Sequence, residues 1–151
     1  MGNFAATIGD WCRRVPEAID AILKNSAQRL AKEIDAELDR QVYQAPPSPS
    51  GYQRTGFLRA SFVASTSAMP QLIRDNPGAV DNTDAMGPIV LVINGWDGGG
   101  TLYLGYTAAY GAYVHFGAQG NSPKPWVTLA AQRWPEIVRE EAAKVKAAFG
   151  L

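Results

Sequence analysis

The chain has 151 residues, 46% of them apolar and 19% charged, which is enough apolar content for a packed core and too little charge for a disordered chain. Lys plus Arg equals Asp plus Glu at 14 each, so the basic excess of a generic nucleic-acid binder is missing. A single cysteine, Cys12, excludes an internal disulfide and a thiolate zinc site, and no run of 18 apolar residues offers a membrane span. One cysteine also fits synthesis in a reducing cytoplasm, and the N-terminus is too short and polar for a signal peptide. A single domain over 1–151 is expected.

Phe4, Ile8, Trp11 and Val15 recur at helical spacing. Pro16 then either starts a new helix or kinks a continuous one. From Pro16 to about Val42, one face carries Ile19, Ile22, Leu23, Leu30, Ile34 and Leu38, with Ala27 and Ala31 as small neighbours. Such a helix is roughly 40 Å long, so part of it is expected to project or to pack on another subunit. Residues 44–54 read as loop. Leu58, Ala60, Phe62 and Ala64 alternate with Arg59, Ser61, Val63 and Ser65, which predicts a half-buried strand.

A long loop follows at 67–88, rich in Asp, Asn, Pro and Gly, with a turn at Asp75-Asn76-Pro77-Gly78. The β-branched run Ile89 to Ile93 predicts a strand covered on both faces. Asn94 to Gly100 then reads as a hairpin tip and Thr101 to Tyr106 as the return strand. Thr107 is placed to cap a short helix, 108–116, ended by Gly117. From Trp126 the helical period resumes to Phe149, with Pro135 kinking the helix or opening its second segment. The expected class is therefore α+β. A small antiparallel sheet of three or four strands would be packed on one face by long N- and C-terminal helices.

Thr101 to Trp126 joins the halves of the chain and holds four tyrosines and the single histidine. General base work by His115 needs an orienting acid and a nucleophile, and its sequence neighbours supply only Tyr110 and Tyr113. A packed or hydrogen-bonded structural histidine is the expectation; a small hydrolase centred on His115 is the competing one. Asp75, Asp81, Asp84 and Asp97 do not follow calcium-loop spacing. Asp97 with three glycines lacks the Lys and Ser/Thr of a phosphate loop. No metal and no cofactor is expected. Arg54 and Arg59, flanking Thr55-Gly56, read equally as contacts to a phosphate or carboxylate partner and as a solvated pair. Between Asp75 and Pro123 there is no Lys or Arg, whereas Lys124 to Lys146 carries five basic residues against three acids. Opposite faces of that kind attract in a head-to-tail ring, and an acidic loop facing a channel repels DNA.

Three features in this order resemble the neck and tail-completion family of tailed bacteriophages. A helix ends in a Pro loop at Ala45-Pro46-Pro47. The segment Thr55-Gly56-Phe57-Leu58-Arg59-Ala60-Ser61 resembles the family's Thr-Gly-x-Leu-Arg-x-Ser motif. Tyr110-Gly111-Ala112-Tyr113-Val114-His115-Phe116-Gly117, then Pro123-Lys124-Pro125-Trp126 and a final helix, resemble its late segment. His115 stands where the family more often has Glu. The resemblance implies a structural virion protein with no reaction of its own. It would be made in the host cytoplasm and built into the neck as a ring, here taken as sixfold, around the DNA passage. Implied partners are further copies of the chain, head-completion or connector proteins, and tail terminator or tail-tube proteins. Genomic DNA would pass without sequence-specific binding, and no membrane is involved. A tail terminator that ends tube growth is the alternative in the same setting. Candidate contact residues are Arg54, Thr55, Arg59, Trp96, Asp97, Tyr110, Tyr113, His115 and Trp126.

Overall fold

A computed structural model describes residues 4–46, 54–80 and 85–151. The expectations resting on Pro47, Asp81 and Asp84 lie outside the described residues.

Helix α1 runs from Phe4 to Leu38 and continues through one π-helical turn, Asp39–Tyr43. Its 35 residues span about 52 Å. Pro16 lies inside a continuous helix. Proline lacks the N–H that would bond the Cys12 carbonyl, and Cys12 is solvent-exposed, so the loss falls where water meets it. The inner stripe of α1 is Ala18, Ala27, Ala31, Ile34 and Leu38, all buried. Helices α3 (Met86–Gly95), α5 (Trp126–Ala131) and α6 (Trp134–Phe149) pack on α1. Helix α6 lies antiparallel to it: Arg133 meets Glu33 at 2.6 Å at one end, and Arg14 Nη1 donates to the Phe149 carbonyl at 2.7 Å at the other. Pro135 sits in the first turn of α6 and so opens the second helical segment.

The sheet is small and antiparallel. Among the described residues it has two strands, β1 (Phe62–Ser65) and β2 (Tyr103–Tyr106), in the register Phe62 with Tyr106 and Ser65 with Tyr103. Phe62 and Tyr106 stack at 4.7 Å. The strand expected at Ile89 to Ile93 is instead the body of α3. A short apolar run fits either period, and here the helical one holds: Ile89 and Ile93 are buried one turn apart while Leu91 faces outward. Trp96 to Gly100 is therefore the exit from a helix and not a hairpin tip.

The strand expected from Leu58 starts later. Phe57 and Leu58 are adjacent and both buried, which a strand's alternation forbids, and Phe57–Ala60 forms a helical turn, α2. The segment expected as loop to residue 88 ends at α3. It is also tied down midway, because Arg74 N donates to Thr107 O at 2.9 Å and Ala109 N donates to Arg74 O at 2.8 Å.

Helix α4 spans Gly111–Phe116 and stops at Gly117, as its sequence predicts. Thr107 does not cap it; the Thr107 hydroxyl donates to Ser61 O at 3.3 Å. Gly117 has φ 84°, and a Cβ there would lie 2.9 Å from the Asn121 carbonyl and 3.0 Å from Pro123. Gly117→Ala is therefore expected to cost about 2 kcal/mol of stability. A urea midpoint equal to that of the unchanged chain would contradict this account of the α4 exit.

Candidate functional site

The Thr55 to Ser61 segment is one closed turn in which nearly every residue has a partner inside the chain. Gly56, at φ 79°, takes the left-handed conformation that starts α2. Phe57 and Leu58 enter the core, and Ser61 Oγ donates to Leu58 O at 2.8 Å. Val80 N donates to Thr55 O at 3.0 Å, and Thr55 Oγ1 approaches Asn76 Oδ1 at 3.3 Å.

Arg59 in this segment and Arg54 just before it are both engaged within the chain. Arg59 grips Asp35 with two parallel bonds, Nε to Oδ1 at 2.9 Å and Nη2 to Oδ2 at 2.6 Å, and reaches Asp39 at 3.4 Å. The fork of a guanidinium matches a carboxylate in this way, whereas an ammonium cannot. Arg59 N also donates to the Tyr43 hydroxyl at 3.3 Å; burial pushes the Tyr43 phenol above its ordinary pKa. Arg54 donates to the Tyr43 carbonyl at 3.1 Å, which the end of the π-turn leaves open, and to the Pro46 carbonyl in the loop beyond it at 2.7 Å. These contacts fasten the end of α1 to the sheet.

His115 and Trp126 form a second group. Trp126 is in the core, edge-on to Tyr106 at 5.2 Å and to His115 at 5.1 Å, so it presents no surface to a partner as expected of it. His115 is buried, with Nε2 3.3 Å from the Thr128 hydroxyl and no hydrogen-bond partner at Nδ1. An orienting acid would sit at that Nδ1 in a catalytic pair, and the described residues place none there. Burial lowers the His115 pKa from its ordinary 6.5.

Tyr110 and Tyr113 meet Arg54 along an open cleft of about 650 Å³ between the end of α1 and the turn after α4. Val42 and Val114 complete its apolar wall, and the Lys124 ammonium at its edge has no ion pair among the described residues. A second cleft of about 340 Å³ lies on α1 and includes Trp96, whose Nε1 donates to Gly100 O at 3.2 Å. Asp97 is not at either cleft; its Oδ1 accepts from Gly99 N at 2.8 Å and shapes the turn. Asp35, Asp39 and Tyr43 were not expected as partners of the motif. Their only sequence signal is the i, i+4, i+8 spacing that puts them on one edge of α1.

Among the described residues, no group of three His, Cys, Asp or Glu side chains is placed to hold a metal ion, and no helix is long and apolar enough to cross a membrane. The chain matches no protein-family model, no curated protein and no solved structure.

Two measurements check these assignments. A double-mutant cycle of Arg59→Lys and Asp35→Asn should give a coupling of about 1 kcal/mol, limited by solvent at the edge of the pair; no coupling would contradict the fork. For His115, the unfolded chain binds more proton than the folded one between the lowered pKa and 6.5. Stability is therefore full above pH 6.5 and falls as the pH drops below it. His115→Asn should flatten that decline between pH 7 and 5 in urea titrations, and an unchanged slope would refute the buried neutral ring.

Proposed function

We propose that the chain is a structural protein of a tailed-bacteriophage virion. In this reading it is one protomer of a sixfold ring in the neck, joining the head connector to the tail around the DNA passage. Support comes first from the order of the three sequence features that resemble the neck and tail-completion family. It comes second from where large apolar side chains stand in water. Ile73, Leu91 and Phe116 are 72, 73 and 74% exposed, and they belong to three different segments. A head-to-tail ring uses two unlike faces of each protomer, so apolar groups on several faces suit it.

The segment from Asp75 to Pro123, free of Lys and Arg, would let the DNA backbone pass without gripping it. No reaction and no cofactor enters this reading. Partners would be further copies of the chain, connector or head-completion proteins, and terminator or tail-tube proteins. A phage lacking the chain should accumulate separate heads and tails when lysates are imaged. Intact infectious particles would sink the reading, and tails of uncontrolled length would replace it with a tail terminator.

A further inference from the structure

The cleft between the end of α1 and the turn after α4 gathers positive charge with nothing to cancel it. Arg54 and Lys124 both line it, and both are half-buried. Arg54 spends N–H groups on the Tyr43 and Pro46 carbonyls, but a carbonyl leaves the guanidinium charge in place. Neither cation has an ion pair among the described residues. No described Asp or Glu lines the cleft, and the sequence of residues 47–53, between Pro46 and Arg54, includes none. Asp39, on the nearby π-turn, is taken up by Arg59 and Gln44. Two half-buried cations in a concavity with low-dielectric walls concentrate their field there.

The walls themselves are apolar and aromatic. Val42 and Pro46 come from the end of α1, Tyr110 and Val114 from the α4 side, and Tyr113 stands at the rim, 66% exposed. The remaining wall is a turn that the chain holds in an uncommon conformation. Gln119 has φ 52°, the one positive value at a non-glycine residue among the described residues, and Gly120 follows at φ 80°. Asn121 N closes the turn on Ala118 O at 3.0 Å, and two successive left-handed residues make it type I′. Lys124 N donates to Val114 O at 3.1 Å, and Pro123 and Pro125 flank it, so the lysine stem starts from a fixed backbone. Backbone held in this way clusters at ligand clamps.

About 650 Å³, with apolar walls and few polar groups, is the size and make-up of a small-molecule site. We infer that this cleft binds a small amphipathic anion. Its ring-sized apolar body lies against Val42, Tyr110 and Val114, and its carboxylate or phosphate head is held by Arg54 and Lys124. A cationic ligand would meet like charge. A neutral apolar one would strip water from both cations and give them no partner. The site stands apart from the neck reading and survives if that reading fails.

NMR titration of the isotope-labelled full chain tests it, with phenylpropionate and phenyl phosphate as probes and phenylpropanamide as the uncharged control. Either anion should shift the Val114, Gln119, Gly120 and Lys124 amides saturably, with a Kd of about 1 mM or below. Phenylpropanamide should bind about ten-fold more weakly, and Lys124→Gln should weaken both anions by roughly ten-fold, as loss of one charged partner does. Arg54→Gln should weaken them too, but it also frees the Tyr43 and Pro46 carbonyls. Lys124→Gln breaks no ion pair among the described residues, so it is the deciding variant. A tighter phenyl phosphate supports the site and names phosphate esters as its class; a tighter phenylpropionate supports it and names carboxylates. Three results would overturn the inference: no saturable shift up to about 20 mM, equal affinity for phenylpropanamide, or unchanged affinity of Lys124→Gln for the anions. Shifts of the same amides on raising the protein concentration alone, abolished by Lys124→Glu, would assign the cleft to a second copy and overturn it as well.

Discussion

Two alanines set the geometry of this molecule. Ala27 and Ala31 lie on the inner face of α1 and are almost fully buried, so neighbouring elements approach the helix backbone closely. Larger residues there would hold α3, α5 and α6 away from α1, and Ile34 and Leu38 could no longer share a core with Trp126, Ala130 and Ile93. Everything else is fastened to that packed face. The Arg59 fork on Asp35 fixes the loop motif to the outside of the helix, and the pair Arg133 with Glu33 fixes the start of α6. Such edge pairs set register more than they add stability.

The same helix that organises the core also supplies surface that the core cannot cover. A two-strand sheet and helices no longer than α6 shield only part of about 52 Å of α1. Ile8, Trp11 and Ile19 on α1, with Ile73, Leu91 and Phe116 elsewhere, are large apolar side chains that stand in water, a pattern that suits a contact surface better than an enclosed site. His115 belongs to the opposite category. From the last turn of α4 it packs on Trp126 and reaches Thr128 of α5, and Trp126 in turn packs on Tyr106 of β2.

The long helices were legible because their period is carried by many residues. Over α1 and α6, apolar residues recur at helical spacing along the whole length, although Ile8, Trp11 and Ile19 of the expected α1 face stand exposed and Ala18 is buried in their place. The stop of α4 at Gly117 was equally plain, since a left-handed exit is glycine's own signal. The segment Ile89 to Ile93 was misread for a physical reason: five β-branched and aliphatic residues in a row carry no period. Pro88 at its start is tolerated in a first helical turn as well as before a strand. The motif at Thr55 to Ser61 was visible as a pattern, but its partners were not. Asp35 is 24 residues from Arg59 and acquires its meaning only once α1 is in place. Trp126 joined the candidate contacts through the Pro-flanked segment that carries the resemblance, and that position does not distinguish a core tryptophan from a contact one.

The central claim is that this chain is built to stand in a ring at the junction of head and tail. Electron microscopy of purified particles, with the chain carrying a C-terminal tag bound by a gold-labelled antibody, tests that claim directly. Label concentrated at the neck of each particle, in several copies, is the predicted result. Particles that carry no label, or label spread along the tail tube or over the head, would contradict it.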